Sequence, residues 1–200
     1  MIKTFEELKQ LQDTCTATLS DKFSGKGETR AIVLCGGTGC LSSNSAEIKN
    51  KIEKLLIEKG LNDRVSVNLV GCFGFCSQGP FVKIYPEDTL YRLVQIDDVE
   101  EIIEKDIIGG EIVERLLYVD PATKEKVARQ DDINFYKKQK RIALHGCGVI
   151  NPENINEALG AGAFAGLAKA LQMDRADGPT GYCCSRGHLC RRYIRPYIQC

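Results

Sequence analysis

Two short runs of branched apolar residues each lead into a glycine-framed pair of cysteines, and this repeated arrangement most constrains the fold. Cys35 and Cys40 in CGGTGC follow the first run, and Cys72 and Cys76 in GCFGFCSQGP follow the second. Short branched runs bounded by glycine are typical of buried strands. Because each pair can lie in one short loop, two such loops at neighbouring strand ends can close around a single metal centre.

The rest of the pattern predicts an α/β fold. The predicted order is helix 4–23, strand 31–35, a helix that begins at an Asn44–Glu47 capping box and ends at Gly60, strands 65–71, 81–85 and 90–94, a helix from residue 97 or 98 to 108, and a short helix over 111–117. A right-handed strand–helix–strand unit makes the first two strands parallel. Pro86-Glu-Asp-Thr89 between the last two strands indicates a hairpin turn. We therefore expect a small α/β sandwich with a four-stranded sheet.

Composition excludes several classes of function. The formal net charge is zero, so no broad basic field exists to hold nucleic acid or anionic lipid. The longest apolar runs are far shorter than the roughly 20 residues of a membrane span, and MIKTFEELKQLQ does not resemble a secretion signal. We expect a cytoplasmic protein without direct membrane insertion or nucleic-acid binding. In that compartment ten cysteines favour metal binding or redox chemistry over disulfides.

Thiolates are soft ligands that suit iron–sulfur clusters and zinc, and a [2Fe–2S] cluster takes four of them. Glycines around both pairs let the backbone bend tightly beside an inorganic core. Both pairs also follow the carboxyl ends of predicted parallel strands, where open α/β sheets place their ligands. Structural zinc sites more often have C-x2-C pairs, and a thioredoxin-type dithiol needs C-x-x-C. A zinc-stabilised interaction module remains the alternative to a redox centre.

CGGTGC and GCFGFCSQGP, each after a parallel strand, resemble the thioredoxin-like [2Fe–2S] ferredoxins. That module also occurs in the small iron–sulfur subunit of respiratory complex I and its hydrogenase relatives. The resemblance covers residues 1–118 and implies a thioredoxin-like fold, in which helices flank a four-stranded mixed sheet and a short partial helical segment follows. It also implies that Cys35, Cys40, Cys72 and Cys76 ligate a [2Fe–2S] cluster that transfers electrons.

Beyond a predicted linker at 119–132, the segment 133–173 resembles a second family. INFYKKQKRIALHGCGVINPENINEALGAGAFAGLAKAL is similar to the start of the NADH- and flavin-binding subunit of complex I-like enzymes, including NAD(P)-reducing and electron-bifurcating [FeFe]-hydrogenases. The resemblance implies FMN and NAD(P) in the full-length parent enzyme, and other redox subunits as partners. The family's glycine-rich flavin and NADH loop is absent after residue 173. We therefore expect a truncated subunit that is not catalytic alone.

The last segment, 174–200, differs in composition from the rest of the chain. It holds five arginines and no lysine, whereas residues 1–173 hold sixteen lysines and six arginines. We interpret this change as the product of a shifted reading frame or a truncated gene. The alternative is a second metal site built from Cys183, Cys184, His188 and Cys190, although their spacing matches no common zinc pattern.

Several other residues invite a role. Cys15 is predicted to be a buried residue of the first helix, and Cys147 a structural residue rather than a ligand. The basic run 137–141 is predicted to be a solvated stretch, with phosphate or an acidic partner as the alternative. Phe73 and Phe75 lie in the loop between the cysteines of the second pair, where they either shield a metal centre from water or simply pack.

Overall fold

The structure is a computed structural model that describes residues 4–25 and 29–172, so the predictions for segment 174–200 lie outside the described residues. The helices are α1 (Phe5–Ser24), α2 (Thr38–Ser42), α3 (Ser45–Glu58), α4 (Asp98–Glu101), α5 (Asn134–Lys137), α6 (Ile155–Gly160) and α7 (Ala165–Leu171). The strands are β1 (Arg30–Cys35), β2 (Val65–Val70), β3 (Val82–Tyr85), β4 (Thr89–Tyr91), β5 (Tyr118–Val119) and β6 (Lys126–Val127). Short 3₁₀ turns occupy Cys76–Gln78, Glu114–Leu116 and Gln130–Asp132, and a π-helix spans Ile102–Ile108.

The main sheet has four strands in the order β2-β1-β3-β4. Strands β1 and β2 are parallel, and their register pairs Cys35 with Val70 at the carboxyl end. Strand β3 is antiparallel to both β1 and β4. The predicted parallel pair, the hairpin and the mixed four-stranded sheet are therefore confirmed. Residues 31–35 of β1 are all at most 1% exposed, because helices cover both faces of this central strand.

Helix α3 buries Ile48, Ile52 and Leu56 against the sheet, as the helical spacing predicts. The predicted capping box at its start is wrong. Asn44 has a left-handed φ of 65° and its side chain makes no capping hydrogen bond. Helix α1 begins instead with a side-chain cap, because the Thr4 hydroxyl accepts a hydrogen bond from the Glu7 N–H at 3.2 Å.

The stretch after β4 is less regular than the sequence predicts. The predicted helix ending at residue 108 is divided between α4 and the π-helix, and the predicted helix over 111–117 is a single 3₁₀ turn. The predicted linker at 119–132 instead contacts the sheet edge. There β5 and β6 pair with each other, and the Leu90 N–H donates to the Ala128 carbonyl at 2.8 Å. Strands of two residues are too short to show a period of two in the sequence.

The segment after residue 133 packs on the same body. Helix α6 crosses α1 so closely that a Cβ on Gly160 would lie 2.6 Å from the Cys15 carbonyl oxygen. An ion pair between Lys22 and Glu157 at 2.7 Å joins the same two helices, and Cys15 is buried as predicted. Turns at residues 161–164 separate α6 from α7. Within the described residues, no helix is both long enough and apolar enough to span a membrane.

Candidate metal centre

All four cysteines of the two pairs lie at one edge of the sheet, where the parallel strands end. Cys35 is the last residue of β1 and Cys40 lies in α2, whereas Cys72 follows β2 and Cys76 begins a 3₁₀ turn. The backbone at this edge is fixed by hydrogen bonds. The Cys35 N–H donates to the Phe81 carbonyl at 3.2 Å, and the next amide donates to the carbonyl of Val70 at 2.8 Å. The sequence therefore places the pairs correctly at the carboxyl ends of parallel strands.

The sulfurs approach one another as two neighbouring pairs. The Sγ atoms of Cys72 and Cys76 are 3.9 Å apart. A Cβ on Gly37 would lie 3.1 Å from the Cys72 sulfur and 3.5 Å from the Cys35 sulfur, so the missing side chain leaves room between the pairs. Among the residues described, no three His, Cys, Asp or Glu side chains converge on one metal ion. Two adjacent thiol pairs fit a [2Fe–2S] cluster, in which four thiolates are shared by two irons.

The four thiols differ in exposure and in acidity. Cys35 and Cys40 are 1% and 3% exposed, Cys72 is half-buried and Cys76 is exposed. Burial, reinforced by the Cys35 thiol, raises the pKa of Cys40 to about 12. The pKa of Cys76 is also raised, chiefly by its hydrogen bond and charge interaction with Cys72. Four thiolates at one site repel each other, so metal cations are needed to hold them ionised together.

Glycine is required at two positions close to the sulfurs. Gly74 has a φ of 85°, and its N–H donates to the Cys72 sulfur at 3.3 Å. A Cβ on Gly79 would lie only 2.5 Å from the Cys40 sulfur. The glycines seen in the sequence therefore have two roles: the Gly74 amide donates a hydrogen bond to one cysteine sulfur, and Gly79 lies so close to another sulfur that a side chain would clash with it.

An aromatic wall covers the second cysteine loop. Phe73 is fully buried and its ring centroid lies 5.5 Å from that of Phe81. The Phe75 ring stacks on Phe135 at 4.3 Å with an interplanar angle of 15°. Both rings are thus packed and cover one side of the loop, whereas Gly74 and Cys76 of the same loop stay exposed to solvent. Phe135 belongs to α5, and its approach to the loop has no signal in the sequence.

Residues 141–150 lie against the same loop. The Arg141 guanidinium donates to the Phe73 carbonyl and, at 3.4 Å, to the Cys147 carbonyl. The Gly71 N–H donates to the Ile150 carbonyl at 3.4 Å. Residues 137–140 of the basic run are exposed, as predicted, whereas Arg141 at its end contacts the cysteine loop. Cys147 lies beside Gly71, where an added Cβ would be 3.4 Å from the Cys147 sulfur.

Sequence reasoning missed Tyr136, a buried residue of α5 that packs in the same apolar cluster as Cys35 and Cys40. Its hydroxyl is buried and has no hydrogen-bond partner among the described residues. Burial raises the pKa of Tyr136 to about 12; the Arg141 guanidinium opposes the shift, and thiolate charge on Cys35 and Cys72 adds to it. The ring packs in the same apolar group as Cys35, Cys40 and Phe73.

A mixed sheet with paired cysteines at its parallel edge defines the class of small iron–sulfur proteins with a thioredoxin-like fold. The model of one family, described as thioredoxin-like [2Fe–2S] ferredoxin, matches residues 16–106. A 2Fe–2S ferredoxin of Clostridium pasteurianum is 51% identical over 77 residues, which are 38% of this chain and 76% of that protein. The chain therefore belongs to the thioredoxin-like [2Fe–2S] ferredoxin family.

Two further relatives come from Aquifex aeolicus. A 2Fe–2S ferredoxin of strain VF5 is 37% identical over 79 residues, which are 39% of this chain and 71% of that protein. The crystal structure at 1.5 Å of the wild-type thioredoxin-like [2Fe–2S] ferredoxin is 30% identical, with a TM-score of 0.41, and the match covers 44% of this chain and 94% of that one. The matched range 16–106 contains all four paired cysteines but none of Phe135, Tyr136 and Arg141.

Proposed function

We propose that this chain carries one electron at a time on a [2Fe–2S] cluster held by Cys35, Cys40, Cys72 and Cys76. The observation that carries the proposal is the meeting of these four thiols, as two adjacent pairs, at the parallel edge of the sheet. When bound, the cluster supplies a one-electron redox couple and forms no bond to a substrate. Membership of a [2Fe–2S] ferredoxin family supports the choice of cofactor.

The residues around the thiols favour this role. The Gly74 N–H points at the Cys72 sulfur, and such hydrogen bonds stabilise the added negative charge of a reduced centre. The packed rings of Phe73 and Phe75 exclude water from one side. The hydrogen-bonded end of β1 fixes Cys35, so little of its surroundings has to move when charge changes.

We further propose that this carrier operates within an NAD(P)H-linked oxidoreductase complex, either an NADH dehydrogenase or a hydrogenase. The support is the resemblance of residues 133–173 to the start of an NADH- and flavin-binding subunit. The contact of residues 141–150 with the cysteine loop is what a functional link between the two segments requires. In this proposal FMN and NAD(P) bind elsewhere in the parent enzyme, and the partners are its other redox subunits.

Anaerobic purification tests the cluster. We expect a coloured protein with two irons and two sulfides per chain, and an electron paramagnetic resonance signal after reduction with dithionite. Cys72→Ala should lose the cluster, whereas Cys15→Ala, which removes a buried thiol from α1, should retain it. A colourless wild-type protein that contains zinc and no iron would overturn the proposal.

The NAD(P)H context needs a separate experiment. The complex should be isolated anaerobically from the native organism with an antibody against this chain. We expect it to contain FMN and to reduce the cluster when NADH or NADPH is added. A complex without flavin, in which neither nicotinamide changes the absorption of the cluster, would contradict this part of the proposal while leaving the carrier role intact.

A further inference from the structure

The side chain of Arg141 reaches the cysteine loop from a distant part of the chain. Its guanidinium donates to the carbonyl of Phe73, which lies 68 positions earlier, and to the carbonyl of Cys147 at 3.4 Å. The guanidinium carbon also lies 5.0 Å from the centre of the Tyr136 ring. Within the described part of the chain Arg141 forms no ion pair with a carboxylate. A positive charge is therefore held against the loop by backbone carbonyls, and it is only half exposed to the screening of water.

One peptide group links Arg141 to a cysteine sulfur. The carbonyl of Phe73 accepts from Arg141, and the amide N–H of Gly74 is the other end of that same peptide group. This N–H donates to the sulfur of Cys72 at 3.3 Å. The carbonyl and the N–H of a planar trans peptide point in opposite directions. Arg141 therefore lies at one end of the peptide dipole, and the Cys72 sulfur lies at the other.

The surrounding contacts hold this peptide in place. An added Cβ on Gly74 would lie 3.0 Å from the Arg141 guanidinium. An added Cβ on Gly148 would lie 3.3 Å from the ring of Phe73. The segment 141–150 therefore packs against the loop with almost no free space, and the N–H keeps its direction towards the sulfur.

We propose that Arg141 is a positioning residue of the [2Fe–2S] site, which orients and polarises the Phe73–Gly74 peptide and thereby raises the reduction potential. Hydrogen bonds in a chain strengthen one another, and a charged donor on the carbonyl makes the N–H at the other end a stronger donor. The reduced site carries one more negative charge than the oxidised one, so it gains more from a strong N–H to sulfur bond. Arg141 lies outside the range 16–106 that the family model matches. The inference rests on the proposed cluster.

Arg141→Met tests the inference, because it removes the charge and the donors and keeps an unbranched side chain. We expect a more negative midpoint potential in anaerobic redox titrations, with the equilibrium constant for reduction about tenfold lower, which for a one-electron couple corresponds to about 59 mV. Pulsed electron–nuclear double resonance in H₂O and D₂O should show that the coupling of one exchangeable amide proton to the reduced cluster weakens. Lys140→Met is the matched control, because it removes the same charge from the exposed neighbouring residue.

Two more variants keep the test decisive. Arg141→Lys restores a positive charge and a donor, so the potential should return most of the way to the wild-type value. Arg141→Gln keeps a polar side chain at this half-buried position and takes the place of Arg141→Met if that variant does not take up the cluster. Potentials equal to that of Lys140→Met, or loss of the cluster from both neutral variants, would overturn the inference and leave the cluster assignment standing. A wild-type protein without iron would overturn both.

Discussion

Replacing Gly79 with alanine places a methyl group against the sulfur of Cys40. Gly79 has φ −77° and ψ 166°, so alanine can adopt this backbone conformation without strain. The added Cβ would lie 2.5 Å from the Cys40 sulfur, whereas ordinary contacts begin at 3.4 Å. The sulfur or the methyl group must therefore move by about 0.9 Å, the difference between these distances.

This displacement is large for a metal ligand. Ligand distances at a competent metal site stay within about 0.2 Å of their usual values, so the movement exceeds that tolerance several times. Cys40 is 3% exposed and has no open solvent into which the sulfur can turn. Overpacking of this kind costs about 1–3 kcal/mol, which a folded domain of this size can sustain. We therefore expect a folded variant that has lost most of its iron.

The assay is iron and sulfide per chain after anaerobic reconstitution, with circular dichroism to confirm folding. Gly39→Ala is the matched control in the first cysteine loop, because an added Cβ there meets no atom within 4 Å. We expect the control to bind iron like the wild type. If Gly79→Ala is folded and holds as much iron and sulfide as Gly39→Ala, the steric reasoning is refuted.

Three further predictions concern stability and thiol reactivity. Tyr91→Phe removes a hydroxyl that donates to Asp106 at 2.5 Å and accepts from the Val113 N–H at 3.1 Å. The free energy of unfolding measured in urea should therefore fall by about 1–3 kcal/mol, and an unchanged unfolding midpoint would contradict this. Burial raises the pKa of Asp106 above its usual 3.8, so stability should increase as the pH falls through the raised pKa towards 3.8. In Asp106→Asn the free energy of unfolding should change less with pH. If it changes with pH as much as in the wild type, the assignment of this effect to Asp106 is contradicted. After iron is removed with a chelator, iodoacetamide should modify exposed Cys76 well before buried Cys40, whose pKa is about 12; equal rates by mass spectrometry would contradict the burial argument.

Local sequence patterns predict the central sheet and the four cysteines because the information is local there. Strand β1 is buried on both faces, so it is a continuous apolar run, and the glycine-rich loop begins directly at its last residue, Cys35. Helix α3 has one apolar face with a clear helical period, and Gly60 follows it with a φ of 66°. In each case a short stretch of chain contains both the element and its end.

The missed features depend on contacts between distant residues or on backbone conformations that several residue types share. Arg141 contacts the carbonyl of Phe73 across 68 positions of sequence, and no local pattern records that partner. Tyr136 likewise reaches the site only because the hairpin of β5 and β6 and the turn after it bring α5 back to the sheet. Asn44 and Glu47 have the residue types and spacing of a capping box, but Asn44 has a left-handed φ and its side chain makes no hydrogen bond to the first amides of α3.

The unequal exposure of the four thiols makes the two sides of the site chemically different. Cys35 and Cys40 are almost fully covered, whereas Cys76 is open to solvent. Iron and sulfide arriving from solution meet the Cys72–Cys76 pair first, and so does dissolved oxygen. We therefore expect cluster assembly and oxidative damage to begin at the same pair of thiols. The lifetime of the cluster-bound protein in air should then depend on how well Cys72 and Cys76 are shielded from solvent.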